Sequence, residues 1–231
     1  MSRKIVIEIN FNNFGINPDR LSRQWLENRI GIFRGLTLRS LKKQTNQNFL
    51  TVLKLAGGCT EIVEEILRNQ EPLPPHIRFG TSLECKQMME EYVQGARELY
   101  VARIDSDDLY HESFVQQLHD YRPRPETAVL VNCYGYLWDI TAGHMAEDYH
   151  RSPQFYTFIY PVAEFLAGYR VKIPGRGTHG NVIELPHEIF PRRNYVNVIH
   201  ASNSSAKKIR SKELLTPQEI QQVLSQFMTP Q

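Results

Sequence analysis

The run Arg103-Ile104-Asp105-Ser106-Asp107-Asp108 sets three carboxylates within four residues, directly after the apolar stretch 99–102. Carboxylates this crowded repel one another unless a cation or a set of donors sits between them. Hard oxygen ligands of this kind suit Mg2+ or Mn2+, commonly shared with substrate phosphates. The plainer reading is that Ser106 or Asp107 caps a helix opening near Leu109. Position favours the metal: ligands of an open α/β sheet gather at the carboxyl ends of its strands, and the motif ends the fourth strand-like run. Asp105 and Asp107 are therefore the expected metal ligands. Arg103, just before them, can balance a phosphate or pair with Asp105. A second polar segment, 10–15, follows the first apolar run. Its asparagines can each donate and accept toward a base or ribose edge, although asparagine also suits turns. Asn10, Phe11, Arg103 and Asp105 make up the expected nucleotide-binding set.

These residues need a scaffold that brings several strand ends to one edge. Apolar runs at 4–9, 49–55, 76–80, 98–104 and 127–137 read as strands. Between them, 22–45, 60–69 and 85–94 carry three- and four-residue apolar spacing and read as helices, with Gly31 and Gly35 allowing a bend in the first. Alternation of strand and helix predicts an α/β sheet covered on both faces. Further on, the spacing predicts a helix at 155–166, a strand at 169–173, a Gly-rich loop and a last helix opened by Thr216-Pro217. The aromatic cluster Tyr149, Phe155, Tyr156, Phe158 and Tyr160 could offer a sugar stacking faces, but such spacing is more often core.

The chain has 231 residues, 41% apolar and 23% charged, with a net charge of +2. That excludes intrinsic disorder and collagen-like repeats, and gives no bulk field for nucleic acid. Cys59, Cys85 and Cys133 are odd in number and widely spaced, which predicts reduced thiols rather than disulfides or a zinc site. The short apolar run at the start is a strand and not a signal peptide. The expected location is cytoplasmic, with peripheral contact at a membrane left open by the basic cluster Lys207, Lys208, Arg210 and Lys212.

The order of apolar strand, helix with Thr37-Leu38-Arg39-Ser40-Leu41, second strand and a strand ending in Asp105-Ser106-Asp107-Asp108 resembles a GT-A glycosyltransferase. Trp25, Arg29, Phe33, Thr37, Ser40, Leu41, Gln44 and Thr45 are similar to the first helix of the bacterial rhamnosyltransferase family. The stretches 103–108 and 198–203 resemble two further stations of it. The resemblance implies an α/β GT-A (nucleotide-diphospho-sugar transferase) layered fold with a central, mostly parallel mixed sheet over 1–205, and a basic segment and helix at 206–231. It implies sugar transfer from a nucleotide-sugar donor to a glycan or glycoconjugate acceptor, with Mn2+ or Mg2+ between the acidic motif and the diphosphate. His179 and His200 are rival candidates to complete the metal site. Glu147 and Asp148 are the candidate catalytic base, with Asp139 a second possibility. Two positions depart from the pattern: Leu55-Ala56-Gly57-Gly58 has no base-reading Asp, and Asn10 stands where an Arg is usual. The competing reading is a catalytically silent nucleotide- or sugar-binding scaffold on the same sheet.

Overall fold

The computed structural model describes residues 2–15, 17–175, 177–201, 203, 208–209 and 213–229. Strand β1 (Arg3–Asn10) is the centre of the main sheet. Ile5, Ile7 and Ile9 point to one face and Val6 to the other, the two-residue period of a strand buried on both sides. Parallel neighbours flank it: β2 (Leu50–Leu55) and then β3 (Ile77–Thr81) on one side, β4 (Glu98–Arg103) on the other. Beyond β4 the antiparallel β9 (Tyr156–Pro161) carries β6 (Val129–Val131) and β10 (His187–Ile189), giving seven strands in the order β10-β6-β9-β4-β1-β2-β3.

Helices cover both faces. The face of Ile5, Ile7 and Ile9 packs on α1 (Arg23–Gly35), α3 (Thr60–Arg68) and α5 (Phe114–Asp120), through Leu26, Ile30, Phe33, Val63, Phe114 and Leu118. The Val6 face packs on α4 (Ser82–Tyr92) and α6 (Val162–Leu166), through Cys85, Met89, Val162 and Phe165. A second sheet, ordered β5-β11-β7-β8, stands beside the first, built from β5 (Leu109–Tyr110), β11 (Tyr195–Ile199), β7 (Tyr134–Asp139) and β8 (His144–Tyr149). Helix α7 (Pro217–Leu224) opens on a Thr216–Glu219 capping box, and Phe227 just after it is buried against Leu109, Met145, Val196 and Val198. This is the layered α/β arrangement that the sequence predicts. No helix among the described residues is long and apolar enough to cross a membrane.

Four expectations on elements need correction. The helix at 22–45 is two, since Leu36 leaves helical angles (φ −121°, ψ −86°) between α1 and α2 (Thr37–Lys42). The strand at 127–137 is also two, and they lie in different sheets. Asn132 makes the crossing: its N–H and its Nδ2 both donate to Phe155 O, at 3.0 and 3.2 Å. The run at 155–166 is strand over its first half and helix only at α6, because alternating aromatic residues in β9 satisfy a pleated surface better than a helix face. The stretch 169–173 is irregular, following Gly168 at φ +93°.

Candidate active site

The β1–β4 register pairs Glu8 with Arg103, so the acidic turn leaves the sheet beside Asn10 at the shared carboxyl edge. The four turn residues have different fates. Asp105 keeps about a third of its side chain exposed and pairs with Arg103 at 3.2 Å. Ser106 is buried and accepts from Arg29 Nε at 2.8 Å. Asp107 is nearly buried, and its Oδ2 meets Arg29 at 3.3 Å, His200 Nε2 at 2.9 Å and Asn203 Nδ2 at 3.2 Å. Asp108, fully buried, accepts from the Val198 N–H at 2.8 Å and from Gln154 Nε2 at 3.3 Å.

The helices explain why the turn holds its shape. Arg29, Thr37, Ser40 and Gln44 lie along one side of α1, α2 and the turn after them. Thr37 Oγ1 donates to Asp108 O at 2.8 Å. Ser40 Oγ both accepts from Tyr110 N and donates to Tyr110 O, and Gln44 Nε2 donates to His111 O. Thr37, Ser40 and Gln44 are buried, so each of these bonds replaces water that the loop backbone has lost. Arg29 and these three are among the residues that carry the family resemblance, and they hold the segment 105–111. Arg29, Ser106, Asn203 and Gln154 were absent from the expected site; a charged or amide side chain on an otherwise apolar helix face was the available signal for Arg29.

The other expected residues are placed as follows. Asn10 Oδ1 accepts from Asn13 Nδ2 at 3.2 Å, and Phe11 is buried edge-on against Phe79. Asn12 is buried and structural: its Oδ1 accepts from Ala56 N and its Nδ2 donates to Arg20 O. Asn13 Oδ1 is buried with no hydrogen-bond partner among the described residues. His200 is brought to Asp107. His179 contacts Ser152 instead, its Nδ1 lying 3.1 Å from Ser152 O, and makes no hydrogen bond to the turn. Glu147 and Asp148 lie on β8 of the second sheet. Glu147 pairs with Arg193, and Asp148 accepts from the Tyr195 hydroxyl at 2.8 Å. Asp139 caps the β7–β8 turn through Thr141 N and Ala142 N.

Tyr195 ties these parts together. Its ring stacks on Phe155 at 3.9 Å and lies over Gly135, where any Cβ would collide with it. Burial, followed by the nearby Asp148 and more weakly Asp108, holds its hydroxyl protonated far above the ordinary phenol range. Burial works against the charge on Arg103, but Asp105 and Tyr156 outweigh it and raise its pKa.

No group of three or more His, Cys, Asp or Glu side chains among the described residues forms a metal-binding cluster. A hard cation shared with a diphosphate needs only one or two protein carboxylates, which Asp105 and Asp107 can supply. The residues present fit such a cation when substrate brings the remaining oxygens. Lys207, Arg210 and Lys212 of the basic cluster fall outside the described residues.

The acidic turn sits at the carboxyl edge of a two-sheet α/β fold, where ligands of open α/β sheets bind. The chain belongs to the family described as "Putative rhamnosyl transferase", whose model matches residues 19–144. That span takes in Arg29, Thr37, Ser40, Gln44 and the whole acidic turn. No curated protein is significantly similar to the chain in sequence. Among solved structures it is similar to S. aureus TarS 1–349 in complex with UDP-GlcNAc, at 12% identity and TM-score 0.46, covering 90% of this chain and 62% of that one. A second structure of S. aureus TarS gives 13% and 0.42, covering 86% of this chain and 37% of that one, so the chain spans just over a third of its length. A cytidylyltransferase from Leptospira borgpetersenii gives 12% and 0.38, covering 84% and 77%. At TM-scores below 0.5 these likenesses carry no weight for the chemistry.

Proposed function

We propose that the chain moves a sugar from a nucleotide-diphosphate sugar to a hydroxyl of a glycan or glycoconjugate acceptor. The observation that carries this reading is the acidic turn, fixed by α1 and α2 at the carboxyl edge beside Asn10, with Asp105 left open to solvent. Asp105 and Asp107 would hold Mn2+ or Mg2+, which when bound offsets the negative charge of the leaving diphosphate. Asn13 Oδ1, buried and unpartnered, suits a base or ribose donor group, and Asn10 stands next to it. Arg103 supports Asp105 through their ion pair. In the transfer, the acceptor oxygen bonds to the anomeric carbon as the bond from that carbon to the phosphate oxygen breaks, and the acceptor proton passes to a base. Of the two candidate carboxylates Asp148 is the proposed base, because Glu147 is held in an ion pair with Arg193 while Asp148 is positioned by the Tyr195 hydroxyl.

Calorimetry with a nucleoside diphosphate tests the site. Binding by the parent is expected to require a divalent cation, and Asp107→Asn is expected to weaken it by roughly 10-fold or more, as removal of one charge-assisted interaction does. Undiminished binding in that variant without cation would sink the metal reading. The silent-scaffold reading, favoured by the pairing of both β8 carboxylates, predicts cation-dependent binding of donor with no turnover.

A further inference from the structure

The amino edge of the sheet, at the opposite end of the strands from the acidic turn, holds a cavity of about 740 Å3. Arg3 begins β1 and Glu98 begins β4, and at ~3.3 Å per residue Arg3 lies roughly 23 Å from Asn10. Four arginines, Arg3, Arg97, Arg122 and Arg124, line the cavity against one carboxylate, Glu98. Two of them are already balanced. Arg3 pairs with Glu98 at 2.8 Å, and Arg124 lies 3.7 Å from Glu188 and 3.8 Å from Glu126. Arg97 and Arg122 have no carboxylate partner among the described residues. Arg122 is nevertheless held in place, since its NH1 donates to the His119, Asp120 and Tyr121 carbonyls at the end of α5.

The Tyr100 ring lies under the Arg3 guanidinium at 4.1 Å and holds it at the cavity wall. The rim is also stiff, because Pro123, Pro125 and Pro161 fix the backbone that carries the arginines, so little order must be gained on binding.

We propose that this cavity is an anion site for a phosphate ester or diphosphate group, separate from the donor site and needing no divalent cation. Guanidinium forks match phosphate oxygens two at a time, and the volume is in the usual range for small-ligand sites. The acidic turn, by contrast, repels such a group unless a cation intervenes. The proposal does not depend on the transferase reading. The phosphate could belong to a soluble metabolite or to a lipid headgroup, and the test separates these sources.

Pyrophosphate is titrated into the full chain by calorimetry in EDTA at low salt. The parent is expected to bind, with affinity falling as NaCl rises. Arg97→Gln, at an exposed residue with no side-chain contact to lose, is expected to weaken binding by about 10-fold, the scale of one charge-assisted hydrogen bond, and Arg97→Gln/Arg122→Gln to weaken it further. Asp107→Asn is expected to bind pyrophosphate as the parent does. In a second arm the chain is sedimented with vesicles of neutral phospholipid, or of neutral and anionic phospholipid mixed. Capture by the anionic vesicles alone, reduced in Arg97→Gln, identifies a headgroup as the source; pyrophosphate binding with no vesicle capture identifies a soluble phosphate. The proposal is overturned if neither probe binds, if Arg97→Gln and the double variant bind as the parent does, or if Asp107→Asn is the change that abolishes pyrophosphate binding.

Discussion

Asp108 has both of its carboxylate oxygens engaged inside the protein. One accepts from the Val198 N–H on β11 and the other from Gln154 just before β9, so a single carboxylate fastens the turn to both sheets. In Asp108→Asn one oxygen becomes an NH2 group that cannot accept from a donor already aimed at it. A hydrogen bond to a charged group is worth about 1.5–3 kcal/mol, so the variant is expected to lose that much stability in urea unfolding with its m-value unchanged. A loss below about 0.5 kcal/mol would mean that the turn is held by the α1–α2 contacts alone. The same acidic residue type therefore serves two ends within four positions: Asp105 faces solvent while Asp108 is a joint.

At the scale of elements, α2 is short and opens without a side-chain cap, yet it is fixed by what its polar face grips. Ser40→Ala removes both the acceptor for Tyr110 N and the donor to Tyr110 O, and leaves two backbone groups buried without partners. Each such group costs about 1–3 kcal/mol, so hydrogen exchange at Tyr110 is expected to quicken by 10-fold or more while β2 and β3 keep their protection. The parallel core was legible in the chain because β1, β2 and β4 alternate apolar residues over both faces and the intervening helices carry clear periodicity. The second sheet was not. Its β5 has two residues, β10 in the first sheet has three, and β6 runs into β7 through a buried asparagine that hides the break. The acidic turn could be located from its composition and its place after β4. Of its partners from other segments only His200 could be named, since Arg29, Gln154 and the pair His200 and Asn203 arrive from three separate stretches and only long-range packing assembles them.

Over the whole molecule, burial of phenols gives a distinct alkaline limit. Burial pushes Tyr92, Tyr100 and Tyr160 up to about 12, and each of these groups favours its neutral form in the folded chain. Unfolded tyrosine ionises near ~10. The stability they contribute is thus fully present below pH ~10 and is lost as pH rises from there through about 12. Absorbance at the phenolate band is expected to show these tyrosines lagging behind exposed Tyr149 and Tyr169, then rising together as the fold gives way. Ionisation of all of them near ~10 in a chain still folded by circular dichroism would contradict the packing described for both faces of the main sheet.

The Tyr195 ring over Gly135 has a consequence for how this sequence can diverge. A side chain at 135 would push the ring off its stack with Phe155 and draw its hydroxyl from Asp148. Positions 135, 155, 195 and 148 are therefore expected to be inherited as a unit. A lineage that relinquishes the glycine must rebuild the other three with it, and a lineage that trims the tyrosine first frees all of them to drift.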